Sequence, residues 1–376
     1  MKKRDKYIAI IFMIFILFIP AATIVKNFLP ESEEDSSQER DVLENNGALR
    51  NDEDADIEAE AQPQEDTSSD NSNEKGFTAL KNNLGRFTEG MFLRKSFIKM
   101  NAGLTMLMTG NSYIGSTQLL IGKNNWLFYK REDDGHPIWD YMGINHYTDN
   151  ELVEISVNLT DTRNYLKELG VDFYVIVVPN KEIVYAEYMP DTMVRVDEVS
   201  RGEQVADYIR EKTDLVFIYP KQAFFDVKEN HQVYYATDTH WNQKGAFVGL
   251  QEIFREAYGT YADLDSVNFK IHSDVYAGDL ALIGDVADKY GIDTVYVFDA
   301  KTADTSQYRD ETALVVGDSF SGFLSIVAEG YYSEVHWIDI SQFTMDMIEK
   351  YDADVVIWET GERRMDILRD VNLLAK

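Results

Sequence analysis

From about residue 150 onward the chain keeps breaking helical periodicity with short runs of almost wholly apolar side chains. Residues 173–178 read Phe-Tyr-Val-Ile-Val-Val and stop at Pro179; 215–218, 313–316, 335–338 and 354–358 are similar short runs rich in β-branched residues. A strand that is apolar on alternate residues can leave one face in water, whereas a strand that is apolar throughout must be covered on both faces. Between these runs, helical periodicity occupies 151–169, about 198–212, 243–258 and 342–351, the first ending at Gly170. Strands alternating with helices in this way predict an α/β fold, a parallel sheet with helices on both faces. No internal repeat is evident. Upstream, to about Tyr147, the chain reads as mixed short elements, with Trp126, Phe128 and Tyr129 assigned to the core.

The N-terminal part has a different character. Residues 7–25 are an almost unbroken apolar run behind Lys2, Lys3 and Arg4. That length matches the hydrocarbon core of a bilayer, and the basic flank keeps the N-terminus in the cytoplasm. The run reads as an uncleaved anchor; a cleaved signal peptide is the alternative, although Pro20-Ala-Ala-Thr23 is a weak cleavage site. Residues 31–75 hold 17 acidic and 3 basic side chains and no aromatic. Such a segment cannot bury enough apolar surface to offset its ordering entropy. It reads as a disordered acidic tether, with a cation-binding or partner-binding region as the alternative. The expected organisation is therefore a cytoplasmic tip and transmembrane anchor (1–30), a disordered linker (31–75), and an extracytoplasmic domain (76–376).

The formal charge of −30 makes nucleic acid an unsuitable partner, because the surface repels phosphate. Contact with a membrane is expected through the N-terminal helix alone. The absence of cysteine excludes thiol catalysis and thiolate metal sites. His136, His146, His231, His272 and His336 lack ligand-like spacing, so no metal is expected, and no cofactor.

Two short motifs can carry chemistry. Val315-Val316-Gly317-Asp318-Ser319-Phe320-Ser321 joins an apolar strand to a helix-like stretch. A serine at such a turn, beyond the carboxyl end of a parallel strand, is exposed near a helix N-terminus, where backbone N–H groups can receive an oxyanion. The same tripeptide could also simply end a strand and cap a helix. Thr237-Asp238-Thr239-His240-Trp241-Asn242 precedes the 243–258 helix. A carboxylate two residues before a histidine can fix its tautomer and stabilise its charged form. Trp241 could shield that pair, stack on a sugar, or belong to the core.

Taken together, Asp-Thr-His-Trp followed by Gly-Asp-Ser-Phe resembles the alginate O-acetyltransferase (AlgJ/AlgX) and DHHW-protein group of SGNH-like enzymes. Gly122-Lys-Asn-Asn-Trp126-Leu-Phe128-Tyr129, Tyr276-Ala-Gly278-Asp279-Leu280 and Asp354-Val-Val-Ile-Trp358-Glu359-Thr-Gly-Glu362-Arg363 are similar to further segments of that group, in order, over roughly 80–370. The second motif residue is Thr239, as in the alginate enzymes, and the match is closer to single-domain members. The resemblance implies an SGNH-hydrolase-like, flavodoxin-like three-layer fold. It implies Ser319 as nucleophile, His240 as general base and Asp238 as its orienter, with an acetyl-serine intermediate that passes acetyl to a glycan hydroxyl. It also implies a polysaccharide acceptor and a multipass membrane acyltransferase as acetyl supplier.

Trp241, Asp279, Asp318 and Arg363 are further candidates for binding substrate. Asp279 could instead cap a turn, and Arg363 and Arg364 could instead pair with Glu359 and Glu362. The expected function is O-acetyl transfer to a surface or secreted polysaccharide. An acetyl esterase with the same residues, or a non-catalytic glycan-binding protein, are the alternatives.

Overall fold

In a computed structural model of the chain, residues 118–131, 134–290 and 293–370 are described. The apolar run at 7–25, the acidic segment 31–75 and the expected start of the domain at 76 lie outside the described residues. Among the described residues no helix is long and apolar enough to cross a membrane.

Nine strands are described. β1 (Leu119–Ile121) and β2 (Leu127–Tyr129) pair as an antiparallel hairpin, and β5 (Phe269–Tyr276) and β6 (Asp293–Phe298) pair antiparallel across a longer connection that holds two short helices. The remaining five, β3 (Asp172–Val178), β4 (Val216–Ile218), β7 (Arg309–Gly317), β8 (Tyr332–Asp339) and β9 (Val355–Gly361), form one parallel sheet in the order β4-β3-β9-β7-β8.

The continuous apolar runs are explained by this sheet. Along β3, Tyr174, Ile176 and Val178 face one core, and Phe173, Val175 and Val177 face the other. Strands β7 and β9 alternate in the same way, with Val315 and Ile357 on the first side and Leu314 and Val356 on the second. Each fully buried aliphatic side chain favours the fold by about 1.5–3 kcal/mol relative to exposure.

Helices complete the three layers. On the second side pack α1 (Asp149–Glu168), α2 (Arg201–Lys212) and α6 (Asp346–Lys350); on the first pack α3 (Gln243–Tyr258) and α5 (Ser321–Ala328), and the short α4 (Asp279–Ile283) follows β5. Helix α1 starts at a capping box, with the Thr148 side chain accepting from Glu151 N–H and the Glu151 carboxylate accepting from Thr148 N–H. Asn242 caps α3 by accepting from Lys244 N–H (2.9 Å) and Gly245 N–H (3.1 Å), which fixes the chain just after His240.

The helix expected over 342–351 is shorter than its periodicity suggested. Asp339 accepts from Ser341 N–H (2.9 Å), and this local turn competes with helical hydrogen bonding, so the helix begins only at Asp346. The β5–β6 pair was not visible in the pattern because it stands apart from the main sheet, with Ile271 and Val275 exposed.

Strand β9, the last in sequence, lies between β3 and β7. The carboxyl ends of these three strands are thereby side by side, which is where an open α/β sheet keeps its ligands. Asn180 and Lys181 follow β3, Asp318 and Ser319 follow β7, and Glu362 and Arg363 follow β9.

Candidate active site

Ser319 sits on the two-sided turn between β7 and α5, and it is exposed while its neighbours are buried. The turn is braced from below. Asp318 Oδ1 accepts from Phe320 N–H (2.9 Å), and Oδ2 accepts from Gly361 N–H (3.0 Å) at the end of β9. The Ser321 hydroxyl donates to the Asp318 carbonyl oxygen (2.5 Å) and accepts from the Trp337 indole N–H (2.6 Å). Gly317 is needed for this approach, since a Cβ there would come 2.5 Å from Glu359 Oε2 and 2.7 Å from Ser321 Cβ.

A second loop, closed by a bridge between Tyr234 and Trp241, carries the histidine. It has no regular ladder of its own, so side chains satisfy its backbone. Asp293 accepts from Ala236 N–H (2.9 Å), Thr237 N–H (2.7 Å) and the Thr237 hydroxyl (2.6 Å). The buried Lys181 ammonium donates to the carbonyl oxygens of Tyr235 (3.1 Å), Ala236 (3.2 Å) and Asp238 (2.6 Å).

These supports bring three sequence-predicted residues together. His240 Nδ1 is 2.6 Å from Asp238 Oδ1, and His240 Nε2 is 2.7 Å from Ser319 Oγ. An ionised carboxylate can only accept, so Nδ1 carries the proton and Nε2 is left to accept from the serine hydroxyl. Asp238 is itself held by His240 N–H (2.9 Å), the Tyr276 hydroxyl (2.7 Å) and Asp279 N–H (3.0 Å). Gly278 lets the latter segment come close, because a Cβ there would lie 2.5 Å from Asp238 Cβ and 2.6 Å from Asp238 N.

The electrostatics follow from these contacts. Burial would raise the Asp238 carboxyl, but the hydrogen bond and charge of His240, with the hydrogen bonds of the Tyr276 hydroxyl and Asp279 N–H, outweigh it and hold the group well below the usual carboxylate range. Burial would lower His240, but the Asp238 hydrogen bond and charge win, and the imidazole is raised above its ordinary value. Burial pushes the Lys181 ammonium down to about 8, opposed by the charges of Glu182 and Asp238.

The other candidates divide. Trp241 is fully buried and donates its indole N–H to the Phe320 carbonyl oxygen (2.9 Å), so it is core and does not face a sugar. Asp318 is likewise a buried brace, with both oxygens engaged by backbone, and is not placed to bind substrate. Asp279 accepts from Thr239 N–H (2.7 Å) and the Thr239 hydroxyl (2.6 Å), with Oδ2 3.8 Å from His240 Nδ1.

Arg363 does border the site. Its guanidinium lies 5.3 Å from both the Phe320 and Tyr129 ring centroids, and its charge opposes protonation of His240. Its expected pairing is corrected: the partner of Arg363 and Arg364 is Asp134, at 3.8 and 3.1 Å. Glu362 instead accepts from Gly202 N–H (2.8 Å) at the start of α2, from Asn180 N–H (3.0 Å) and from the Tyr219 hydroxyl (3.0 Å), and Glu359 is turned into the sheet layer by strand alternation.

Two contributors escaped the sequence reading. Tyr276 stood beside the recognised Gly278-Asp279 pair, and Lys181 follows the carboxyl end of β3, a position that favours site residues. The oxyanion donor is also narrowed. Phe320 N–H is committed to Asp318, while Ser319 N–H has no hydrogen-bond partner among the described residues. Among the described residues, Asp238, His240 and Asp279 also have the spacing of a metal-ligand group, with ligand atoms within 4.8 Å of one another, but their hydrogen bonds to one another, Tyr276 and Thr239 already engage those atoms.

Comparison with known proteins places residues 119–346 in a family model described as the SGNH hydrolase-like domain of acetyltransferase AlgX. Among solved structures, the O-acetyltransferase domain of Pseudomonas putida AlgJ is similar at 20% identity and a TM-score of 0.46, covering 69% of this chain and 94% of its own. Bacillus cereus PatB1 is similar at 16% identity and a TM-score of 0.48, covering 69% and 99%. A DHHW family protein from Eubacterium siraeum gives 14% and 0.45, covering 68% and 96%. No curated protein matches the sequence.

Proposed function

We propose that this chain, which belongs to the SGNH hydrolase-like AlgX acetyltransferase family, transfers acetyl to polysaccharide hydroxyls through an acetyl-Ser319 intermediate. The observation that carries this reading is the unbroken hydrogen-bonded line from exposed Ser319 Oγ through His240 to Asp238, at 2.7 and 2.6 Å.

In the first half-reaction Ser319 Oγ attacks the donor carbonyl carbon, and His240 Nε2 takes the hydroxyl proton. Asp238 stabilises the imidazolium, and Ser319 N–H faces the developing oxyanion. Collapse expels the donor's leaving group, which receives the proton from His240. In the second half, a glycan hydroxyl gives its proton to His240 and attacks the acetyl-serine, restoring the free serine. Arg363 lies beside Phe320 of the serine turn, and its cation suits a sugar bearing an acidic group.

The cellular setting belongs to the same proposal. The apolar run at 7–25 supports a single-pass anchor, with the domain outside the cytoplasmic membrane and the acidic segment as tether. Acetyl must then cross the bilayer, which calls for a multipass acyltransferase partner.

Exposure of Ser319 favours a second reading, an acetyl esterase in which water replaces the glycan. The discriminating experiment supplies an activated acetyl ester with and without candidate glycans and follows mass on Ser319 and on sugar. Acetyl passing from Ser319 to glycan supports transfer. Free acetate released at the same rate whatever glycan is present supports the esterase. No acetyl on Ser319, and no difference in Ser319→Ala, leaves only a binding role.

A further inference from the structure

A second carboxyl group lies beneath the serine turn, and the mechanism above does not use it. Glu359 is the fifth residue of β9 and has no exposed surface. It sits under Gly317, where a Cβ would come 2.5 Å from its Oε2 and 2.9 Å from its own Cβ. Neither Glu359 oxygen makes a hydrogen bond with the ordinary donors around it. The Asp318 N–H faces the carboxyl but lies outside good hydrogen-bond geometry. Asp318, the residue after Gly317, reaches the same strand two residues beyond Glu359, where its Oδ2 accepts from Gly361 N–H while Oδ1 accepts from Phe320 N–H, and its charge acts on the Glu359 carboxyl.

Two buried, adjacent carboxylates cannot both be ionised without a compensating cation or donor. One of them must keep its proton. Asp318 accepts two well-placed amide N–H bonds, whereas neither Glu359 oxygen accepts one in good geometry, so the proton belongs to Glu359. Burial first, and then the Asp318 charge, raise the Glu359 carboxyl well above the usual range. The other charged or titratable groups facing it are Arg363, beyond the end of β9, whose cation acts the opposite way, and Tyr234 of the histidine loop, whose hydroxyl donates to the Pro179 carbonyl oxygen (2.5 Å).

We propose that Glu359 is a positioning residue of the nucleophile turn: its carboxyl O–H donates to the Asp318 carboxylate, which holds Phe320 N–H and Gly361 N–H and thereby sets Ser319 Oγ against His240. The inference rests on the reading of Ser319 as the nucleophile. It gives the turn a dependence on pH of its own. When Glu359 ionises, the donor is lost and two like charges face each other under the turn, so acylation falls on the alkaline side. This limb is separate from the acid limb set by His240.

The test measures acylation of Ser319 by an activated acetyl ester, by mass, across about pH 5–10 in the full chain and in Glu359→Gln and Glu359→Met. Glutamine keeps a donor and cannot ionise; methionine keeps the volume and has no donor. Glu359→Gln is expected within about threefold of the parent at neutral pH and to lack the alkaline limb. Glu359→Met is expected to acylate at least about tenfold more slowly at saturating ester, with KM little changed. Should Glu359→Met fail to give a cooperative thermal transition, the Glu359→Gln profile decides alone.

An alkaline limb that persists in Glu359→Gln overturns the inference. So does a Gln variant as slow as a folded Met variant, or a Met variant as fast as the parent. A parent that acylates while all three profiles coincide overturns this inference and leaves the nucleophile reading standing. A parent that takes no acetyl on Ser319 at any pH overturns both.

Discussion

The indole N–H of Trp241 donates to the carbonyl oxygen of Phe320 at 2.9 Å, joining the residue after His240 to the residue after Ser319. Those two loops are 79 positions apart in sequence, and this buried bond joins them beside the His240–Ser319 hydrogen bond and the packing of the His240 ring on Phe320, centroids 4.6 Å apart. Trp241→Phe keeps most of the packing and removes the donor. The expected cost is about 1–3 kcal/mol of stability, visible in denaturant unfolding, because a buried carbonyl loses its partner. Acylation of Ser319 is expected to slow about tenfold or more as the two loops lose register. Unchanged acylation would show that the loops are aligned by other contacts.

The triad proposal fixes the sign of the pH dependence. Neutral His240 is the active base, so the rate rises as pH passes upward through its pKa. Burial lowers that pKa, but Asp238 raises it further, and the midpoint of the acid limb in kcat/KM is expected above the ordinary 6.5. Asp238→Asn removes the raising charge, so the midpoint should move to lower pH while the rate falls by about three to four powers of ten. A midpoint that does not move in this variant would mean that His240 is not the titrating base.

Lys181 organises the histidine loop without touching the reacting atoms. Its ammonium is buried, with three backbone carbonyls as acceptors and the rings of Trp126 and Phe128 at 5.6 and 5.4 Å. Lys181→Met fills similar volume and leaves those carbonyls without their donor. A loss of about 2–3 kcal/mol is expected, read as a lower Tm, together with slower acylation. Full activity in a stable Lys181→Met chain would remove the lysine from this account.

Gly278 is a steric requirement of the site. An alanine methyl there would meet the backbone of Thr237 and Asp238 at 2.6 Å, and backbone cannot swing aside as a flexible side chain can. Gly278→Ala should cost about 1–3 kcal/mol through overpacking. Because the displaced atoms are those of Asp238, the rate should fall by about two powers of ten, beyond what the stability loss explains. Gly259→Ala provides the contrast, since its positive φ strains the backbone while its surroundings are open and remote from the triad.

The parallel sheet and both motifs were legible in the sequence for a local reason. A run such as 173–178 is apolar on consecutive residues, and only burial on both faces accommodates it, so the pattern fixes the class of fold without knowledge of any partner strand. Asp238 and His240 are two residues apart, and their pairing needs little more than a turn. The β5–β6 pair was hidden because Ile271 and Val275 are exposed apolar residues, which carry no core signal. The start of α6 was hidden because Asp339 and Ser341 form a local turn that overrides periodicity.

Side-chain type and short spacing were enough to mark the candidate residues of the site and the segments that become strands. Which face each side chain takes was decided only by the tertiary structure. Strand β9, last in the chain, enters the sheet between β3 and β7, and that insertion brings Gly361 N–H to Asp318, turns Glu359 under the serine and directs Glu362 toward Gly202. Trp241 and Asp318 became buried supports by the same assembly. A side chain's role as binder or brace depends on which other segment covers it, and that is a property of long-range packing, not of local spacing.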